Sequence, residues 1–340
     1  MGVDLGELFT KEPCRFEDFR DRVIVIDAYN VIHQFLASIR QRDGTPLKDA
    51  QGRITSHLSG LLYRTANLVE ARIRPVYIFD GVPHPLKART MQQRRERREQ
   101  AEQAWKEALE KGDLETARSK AQQTSRMTED IIDQSKHLLD ALGIPHLVAP
   151  SEGEAQASYM VRQGDAYATG SQDFDCLLFG SPLLVRNLTS SERRKLPGKQ
   201  AYTAVHPEIL RLQPGLQHLE IIQEQLVDVA ILIGTDFNEG VKGYGPKKSL
   251  QLIKKAGSLK KALQDLPQAP SLQEISDIQD IFLHPTVTDK YALNWSKPNN
   301  EAVFRILCDE HQFSKERIQP VLEKFSGFEQ TVKQKKLFDF

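Results

Sequence analysis

Short apolar runs alternate along the chain with longer stretches whose apolar positions recur at helical spacing. Residues 22–30 (RVIVIDAYN) form a β-branched run that stops at Asp27, and 74–83 (RPVYIFDGVP) stop at Asp80 before Gly and Pro. Residues 144–155 (IPHLVAPSEGEA) lead into Glu152 and Glu154, and 166–175 (AYATGSQDFD) lead into Asp173 and Asp175. Between these runs, 55–73 and 128–143 (TEDIIDQSKHLLDALG) read as helices, the second with apolar residues near i, i+3, i+4 and i+7 and a closing Gly143. This alternation predicts an α/β chain with a mainly parallel twisted central sheet and helices on both faces. Its active face lies at the carboxyl ends of the strands, so all four acidic stops gather on one edge.

Two regions break the alternation. Residues 87–98 (KARTMQQRRERR) hold six bases, Lys87, Arg89, Arg94, Arg95, Arg97 and Arg98, against the single acid Glu96. The run continues to about 127 as a mixed-charge helix broken at Gly112, which in isolation reads as a solvated helical hairpin. It begins seven residues after Asp80, however, and so rises beside the acidic edge, where a cationic flap suits a substrate with many phosphates. After about 215 the pattern is helical. A core-like helix leads to Asp236 and then to the turn Gly243-Tyr244-Gly245-Pro246-Lys247-Lys248. This is either an ordinary glycine-containing helix–helix turn or a phosphate contact, made by close backbone amides, a helix N-terminus and two lysines. Residues 267–300, rich in Pro, Gln and Asn, read as loops.

Composition narrows the class. With 340 residues and 39% hydrophobic positions the chain has ample material for a large core. Lys+Arg and Asp+Glu balance at 46 each, so any binding field comes from local clustering. Cys14, Cys176 and Cys308 are odd in number, without a CxxC pair or a secretory leader, which argues for a reducing compartment and against a thiolate zinc site. No run approaches the roughly 18 apolar residues of a membrane span. The expectation is a soluble intracellular protein that does not engage a membrane.

The chemistry turns on the segment 150–156, PSEGEAQ. Read alone, Ser151-x-x-Glu154 is a capping-box signature. Taken singly, Asp27 and Asp80 begin turns, Asp173 caps a helix and Asp236 is a surface acid. As a set these readings fail, because the topology would crowd carboxylates whose repulsion needs cations to offset it. The candidate ligands are Asp27, Asp80, Glu152, Glu154, Asp173, Asp175 and Asp236, an all-oxygen group suited to Mg²⁺, with Mn²⁺ as a substitute. Seven carboxylates exceed what one Mg²⁺ requires and suit two ions roughly 3.5–4 Å apart, the arrangement for phosphodiester hydrolysis. Lys87 and Arg94 would neutralise charge on the scissile phosphate. Ser151 is expected to keep its capping role while Glu154 faces the metals beside Glu152.

The segments VIDAYNVIHQFL, PVYIFDG, SEGEAQA, GSQDFDCLLFG, LLVRNLTSSERRKLPG and ILIGTDFNEGVKGYGPKKSLQLI resemble the flap endonucleases, structure-specific 5′ nucleases of replication and repair, from Met1 to about Phe325. The resemblance implies that Asp27, Asp80, Glu152 and Glu154 serve the tighter ion, and Asp173, Asp175 and Asp236 the second. It places Lys87 and Arg94, with Arg95 beside them, at the base of a helical arch through which a 5′ end threads. Gly2 matches a residue whose free amine lies near the active site. The 234–250 segment, with Gly243, Gly245, Lys247 and Lys248, resembles a helix–two-turns–helix element that holds downstream duplex, in family members with a bound K⁺. His33 departs from the family, where a Tyr often stacks on a base; imidazole offers less surface.

Within that resemblance the chain divides into a nuclease domain over 1–325 and a tail over 326–340. The domain comprises an N-terminal part (1–86), the arch (87–130), the second half of the sheet (131–215) and a helical duplex-binding part (216–325). In the tail, Gln334, Leu337 and Phe340 have the spacing of a sliding-clamp-binding peptide of the PCNA-interacting type, with the usual second aromatic missing and Phe338 the only nearby substitute; a frayed tail is the bland alternative. No basic tail follows, as in archaeal forms, which implies a cytoplasmic monomer, or a nuclear one in a eukaryote. The function implied is a Mg²⁺-dependent 5′ flap endonuclease with 5′–3′ exonuclease activity acting on branched DNA. The alternatives are a non-catalytic clamp-tethered DNA-binding scaffold and another Mg²⁺-dependent phosphatase or RNase.

Overall fold

A computed structural model describes residues 2–190, 193–195, 202–263, 266 and 270–325. Its centre is a seven-stranded sheet. The strands are β1 (Glu12–Pro13), β2 (Val23–Asp27), β3 (Arg74–Phe79), β4 (His146–Val148), β5 (Ala168–Gly170), β6 (Leu183–Arg186) and β9 (Glu208–Arg211); β7 (Arg193–Lys195) and β8 (Tyr202–Ala204) form a separate two-stranded ribbon. The order across the sheet is β1-β9-β6-β5-β2-β3-β4. From β4 to β6 every pairing is parallel, with Val25 opposite both Val76 and Thr169. Strands β9 and β1 add on in antiparallel register, Leu210 facing Leu184 and Glu12 facing Ile209.

Helices cover both faces, as expected, and the strand alternation decides which side chains meet them. Ile24, Ile26, Tyr77 and Phe79 point to one side, into a cluster with Leu58, Leu61 and Leu62 of α2 (Ser56–Glu70), Phe35 of α1 (Ala28–Ser38) and Leu138 of α5 (Glu129–Ala141). Val25, Val76 and Ile78 point to the other, against Ala157, Met160 and Val161 of α6 (Gly153–Arg162). These strand residues are wholly buried, each contributing roughly 1.5–3 kcal/mol.

Between β3 and α5 the basic stretch forms α3 (Ala88–Glu110) and α4 (Leu114–Ala121), turned at Gly112 with φ +71°. Only Ala101 and Ala108 of α3 are buried, so this long helix stands largely in solvent. Trp105 Nε1 of α3 donates to the Asp43 carbonyl at 3.2 Å, and beyond α4 Ser125 Oγ accepts from Arg40 at 3.0 Å. After α7 (Asp175–Leu178), β6, the β7–β8 ribbon and β9, the chain becomes helical with α8 (Leu212–Leu219), α9 (Gln223–Ile233) and α10 (Pro246–Ala256). The expected loop over 267–300 is corrected in part: after α11 (Leu259–Ala262) it contains α12 (Leu272–Leu283). The Ser271 hydroxyl caps this helix at Glu274 N, and Ile275, Ile278 and Phe282 bury at helical spacing. No helix among the described residues is long and apolar enough to cross a membrane.

One buried group makes this core pH-sensitive. His57 of α2 is fully buried; its Nε2 pairs with Gln134 Oε1 at 3.0 Å, and its Nδ1 is buried with no partner. Burial, reinforced by His311, lowers its pKa to about 4. An unfolded histidine titrates near 6.5, so the unfolded state takes up the proton first as pH falls. Neutral His57 thus stabilises the fold fully above about pH 6.5, and this contribution, up to ~3 kcal/mol, is lost as pH falls toward 4. Urea unfolding across that window should give a steeper loss of stability for the parent than for His57→Gln; parallel curves would contradict the assignment.

Candidate active site and metal centre

Each acidic stop lies at or just beyond a parallel strand. Asp27 ends β2 and N-caps α1, its Oδ1 accepting Asn30 N–H at 3.0 Å. Asp80 follows β3, and its Oδ1 accepts Gly153 N–H at 2.7 Å. That bond corrects the expected Ser151 cap. The N-cap position falls on Glu152, whose side chain makes no capping bond, and the amide at the start of α6 is satisfied by Asp80, 73 residues upstream. The crossing needs a glycine: Gly81 N–H donates to the Ser151 carbonyl at 2.7 Å, and a side chain at 81 would strike the Ala149 and Pro150 carbonyls.

Glu154 is held from the next strand: Ser171 Oγ donates to its Oε1 at 3.1 Å, with Cys176 Sγ at 3.6 Å. Asp173 Oδ2 accepts from Asn30 Nδ2 at 3.1 Å. Asp175 opens α7 and accepts Val3 N–H at 2.8 Å; a side chain at Gly2 would collide with its carboxylate, so the N-terminal segment crosses this edge. Asp236 comes from the loop after α9, outside the sheet, and completes the group.

Burial and mutual repulsion dominate the electrostatics. Burial, then Asp80, pushes Asp27 up to about 8 against the Asn30 amide and Lys87. Burial, then Asp173 and Asp236, raises Asp175 to about 7. Asp80 rises to about 6 through burial and Glu152, and Glu154 rises well above the usual range through burial, Asp175 and Asp173. Two cations oppose this from the foot of α3. Lys87 pairs with Glu152 and lies 3.7 Å from Asp236, and Arg94 pairs with Asp236 at 2.5 Å. Burial lowers the Lys87 pKa, but Glu152, Asp236 and Asp80 outweigh it and the net shift is upward. The ammonium also sits 5.6 Å from the centre of the Phe237 ring.

Among the described residues no three such side chains are already closed around a point as a finished coordination shell. The acids are held instead by Lys87, Arg94 and hydrogen-bond donors. The donor set nevertheless fits hard divalent ions: seven carboxylates, no imidazole or thiolate offered at these positions, and too little positive charge nearby to balance them.

The remaining candidates scatter. His33 lies on the exposed side of α1; partial burial, with Arg98 and Arg94, lowers its pKa, while Asp173 opposes this. Arg95 points away, paired with Glu99 at 3.1 Å. Gly245 precedes α10 and Gly243 has φ +88°, both facing open space. Lys247 reaches Glu7 at 3.4 Å, and Lys248 lies over Tyr244 at 4.8 Å. Gln334, Leu337, Phe338 and Phe340 lie outside the described residues. Sequence reasoning missed Asn30, Ser171 and Phe237. Only Asn30 carried a signal, three residues after an acid at a helix start.

A buried row of carboxylates at the carboxyl edge of a parallel sheet, with bases set into it from a helical pair, defines a metal-dependent nuclease. Accordingly, residues 5–101 match the XPG N-terminal domain and residues 143–236 the XPG I-region. The chain is 52% identical over 326 residues to flap endonuclease 1 of Thermococcus onnurineus, covering 95% of this chain and 94% of that protein. It is 51% identical over 325 residues to that of Pyrococcus abyssi, with the same coverage. The solved flap endonuclease-1 from Methanococcus jannaschii superposes with a TM-score of 0.76 at 40% identity, over 96% of this chain and 98% of that one. The chain belongs to the flap endonuclease 1 family.

Removing Lys87 leaves Glu152 and its neighbours without their counter-charge. Lys87→Met should therefore destabilise the protein in chelator by on the order of 3 kcal/mol. A saturating divalent ion should close most of that gap to the parent. Equal melting temperatures in chelator would contradict the counter-ion role.

Proposed function

We propose that this chain removes 5′ flaps from branched DNA during replication and repair, by hydrolysis at a pair of Mg²⁺ ions for which Mn²⁺ can substitute, with 5′–3′ exonuclease action on the same site. The observation that carries this reading is the placing of Lys87 and Arg94, at the foot of a solvent-exposed helical pair, directly on the buried carboxylates. A phosphodiester arriving under α3 meets cations and acids together, which a mononucleotide phosphatase would not require.

In this reading Asp27, Asp80, Glu152 and Glu154 hold one ion and Asp173, Asp175 and Asp236 the other. Bound there, the ions supply an activated water and offset charge on the leaving 3′ oxygen. The chain's own residues do the rest. Lys87 and Arg94 pass from the carboxylates to the scissile phosphate, where their contacts strengthen as charge develops. His33 offers a flat surface to the adjoining base. Residues 87–130 form the arch that admits a free 5′ end. Residues 216–325 grip downstream duplex through the amides at Gly243 and Gly245, through Lys247 and Lys248, and through a K⁺ in the 234–250 turn, with Arg95 tracking the backbone. The tail over 326–340 supplies a sliding-clamp peptide anchored by Gln334, Leu337, Phe338 and Phe340, and the enzyme works as a cytoplasmic monomer.

A substrate panel tests the proposal. A double flap with a free 5′ end should be cut in Mg²⁺, a hairpin-blocked flap should be cut far more slowly, and Asp175→Asn should abolish cutting. Comparable turnover on a free mononucleotide would overturn the reading. Deleting 333–340 should leave cleavage by the free enzyme intact while abolishing stimulation by the clamp; stimulation that survives the deletion would refute the peptide assignment.

A further inference from the structure

Lys87 and Arg94 neutralise carboxylates of this site, but neutral side chains touch it as well, and one of them links two strands. Asn30 lies in the first turn of α1, half-buried. Its backbone N–H donates to Asp27 Oδ1 at 3.0 Å, while its side-chain Nδ2 donates to Asp173 Oδ2 at 3.1 Å. One residue thus ties the acid at the end of β2 to the acid beyond β5. Asp173 is only half-buried, whereas Asp175 two residues on is buried. Its backbone N–H meets Ser171 Oγ at 3.2 Å, and the same hydroxyl donates to Glu154 Oε1. Asn30 also borders a small cavity of mixed lining, with Ile26, Val31, Val185 and Leu188 on its apolar side and Gln172 and Thr189 on its polar side.

A neutral donor does what an ammonium would not. It occupies one oxygen of Asp173 and fixes the plane of the carboxylate, leaving the other oxygen free and the negative charge undiminished. We propose that Asn30 is a positioning residue for the nuclease reaction, holding Asp173 in the orientation in which it receives a divalent ion. This rests on the reading of Asp173 as a ligand. Hydrogen bonds of this kind to ligating groups are worth roughly 10- to 100-fold in metal affinity or activity.

The test is a Mn²⁺ titration of the full chain, followed by electron paramagnetic resonance, alongside flap cleavage. Asn30→Ala should weaken the second Mn²⁺ by roughly 10- to 100-fold while leaving the first within about twofold. It should lower kcat correspondingly with KM for the flap unchanged, and excess Mn²⁺ should restore turnover. Asn30→Leu keeps roughly the volume and the backbone N–H to Asp27 but loses the side-chain donor without adding charge, so it should show the same loss and carries the test if the alanine variant does not fold. Asp173→Asn is the reference. If it weakens the second ion and both Asn30 variants bind as the parent does, the positioning role is refuted and the ligand reading stands. If Asp173→Asn leaves both ions unchanged, the ligand reading falls and this proposal with it.

Discussion

Repulsion among buried carboxylates is the constraint on which the rest of this molecule depends. Four parallel strands deliver acids to one edge, and a fifth element adds Asp236. Left alone, such a group would protonate or push the strands apart, and the raised pKa values of Asp27, Asp80, Glu154 and Asp175 record that tension. Three devices hold it in place. The sheet core is rigid and fully buried, so the acids cannot retreat. Single hydrogen-bond donors fix individual oxygens: Asn30 for Asp27, Gly153 for Asp80, Ser171 for Glu154 and Val3 for Asp175. Lys87 and Arg94 supply the opposing charge.

This arrangement joins the long basic helix to the chemistry. Most of α3 stands in solvent and contributes little to the core, yet its first turns carry the cations that the acids need. In the proposed reading, counter-charge and substrate-binding charge are the same residues. Under the proposed function, what stabilises the resting site is also what a phosphate would recruit, once a divalent ion in the site has freed the bases. A structural ion pair and a functional one differ here only in which anion is present.

Much of this was legible in the chain, and the reasons are physical. The β-branched runs ending in Asp27, Asp80 and Asp173 are local signals, and parallel topology turns a repeated local pattern into one shared edge. The basic run after Asp80 was legible for the same reason, since its place follows from the strand before it. What escaped depends on contacts distant in sequence. Ser151 looked like a cap because its neighbours suit one, but the bond is made by Asp80, which no local reading connects to Gly153. Helix α12 was hidden by the Pro, Gln and Asn around it, although Ile275, Ile278 and Phe282 have helical spacing. Asn30 and Ser171 are common helix-start and loop residues; only the folded sheet sets them against Asp173 and Glu154.

In the proposed reading these seven carboxylates form one two-ion site whose resting counter-ions are Lys87 and Arg94. Anomalous diffraction from crystals grown with Mn²⁺ tests it most directly. Two peaks roughly 3.5–4 Å apart are expected, one among Asp27, Asp80, Glu152 and Glu154 and one beside Asp173, Asp175 and Asp236, with the Lys87 ammonium displaced from Glu152. No peak at this edge, or peaks there with Lys87 still seated on Glu152, would contradict it.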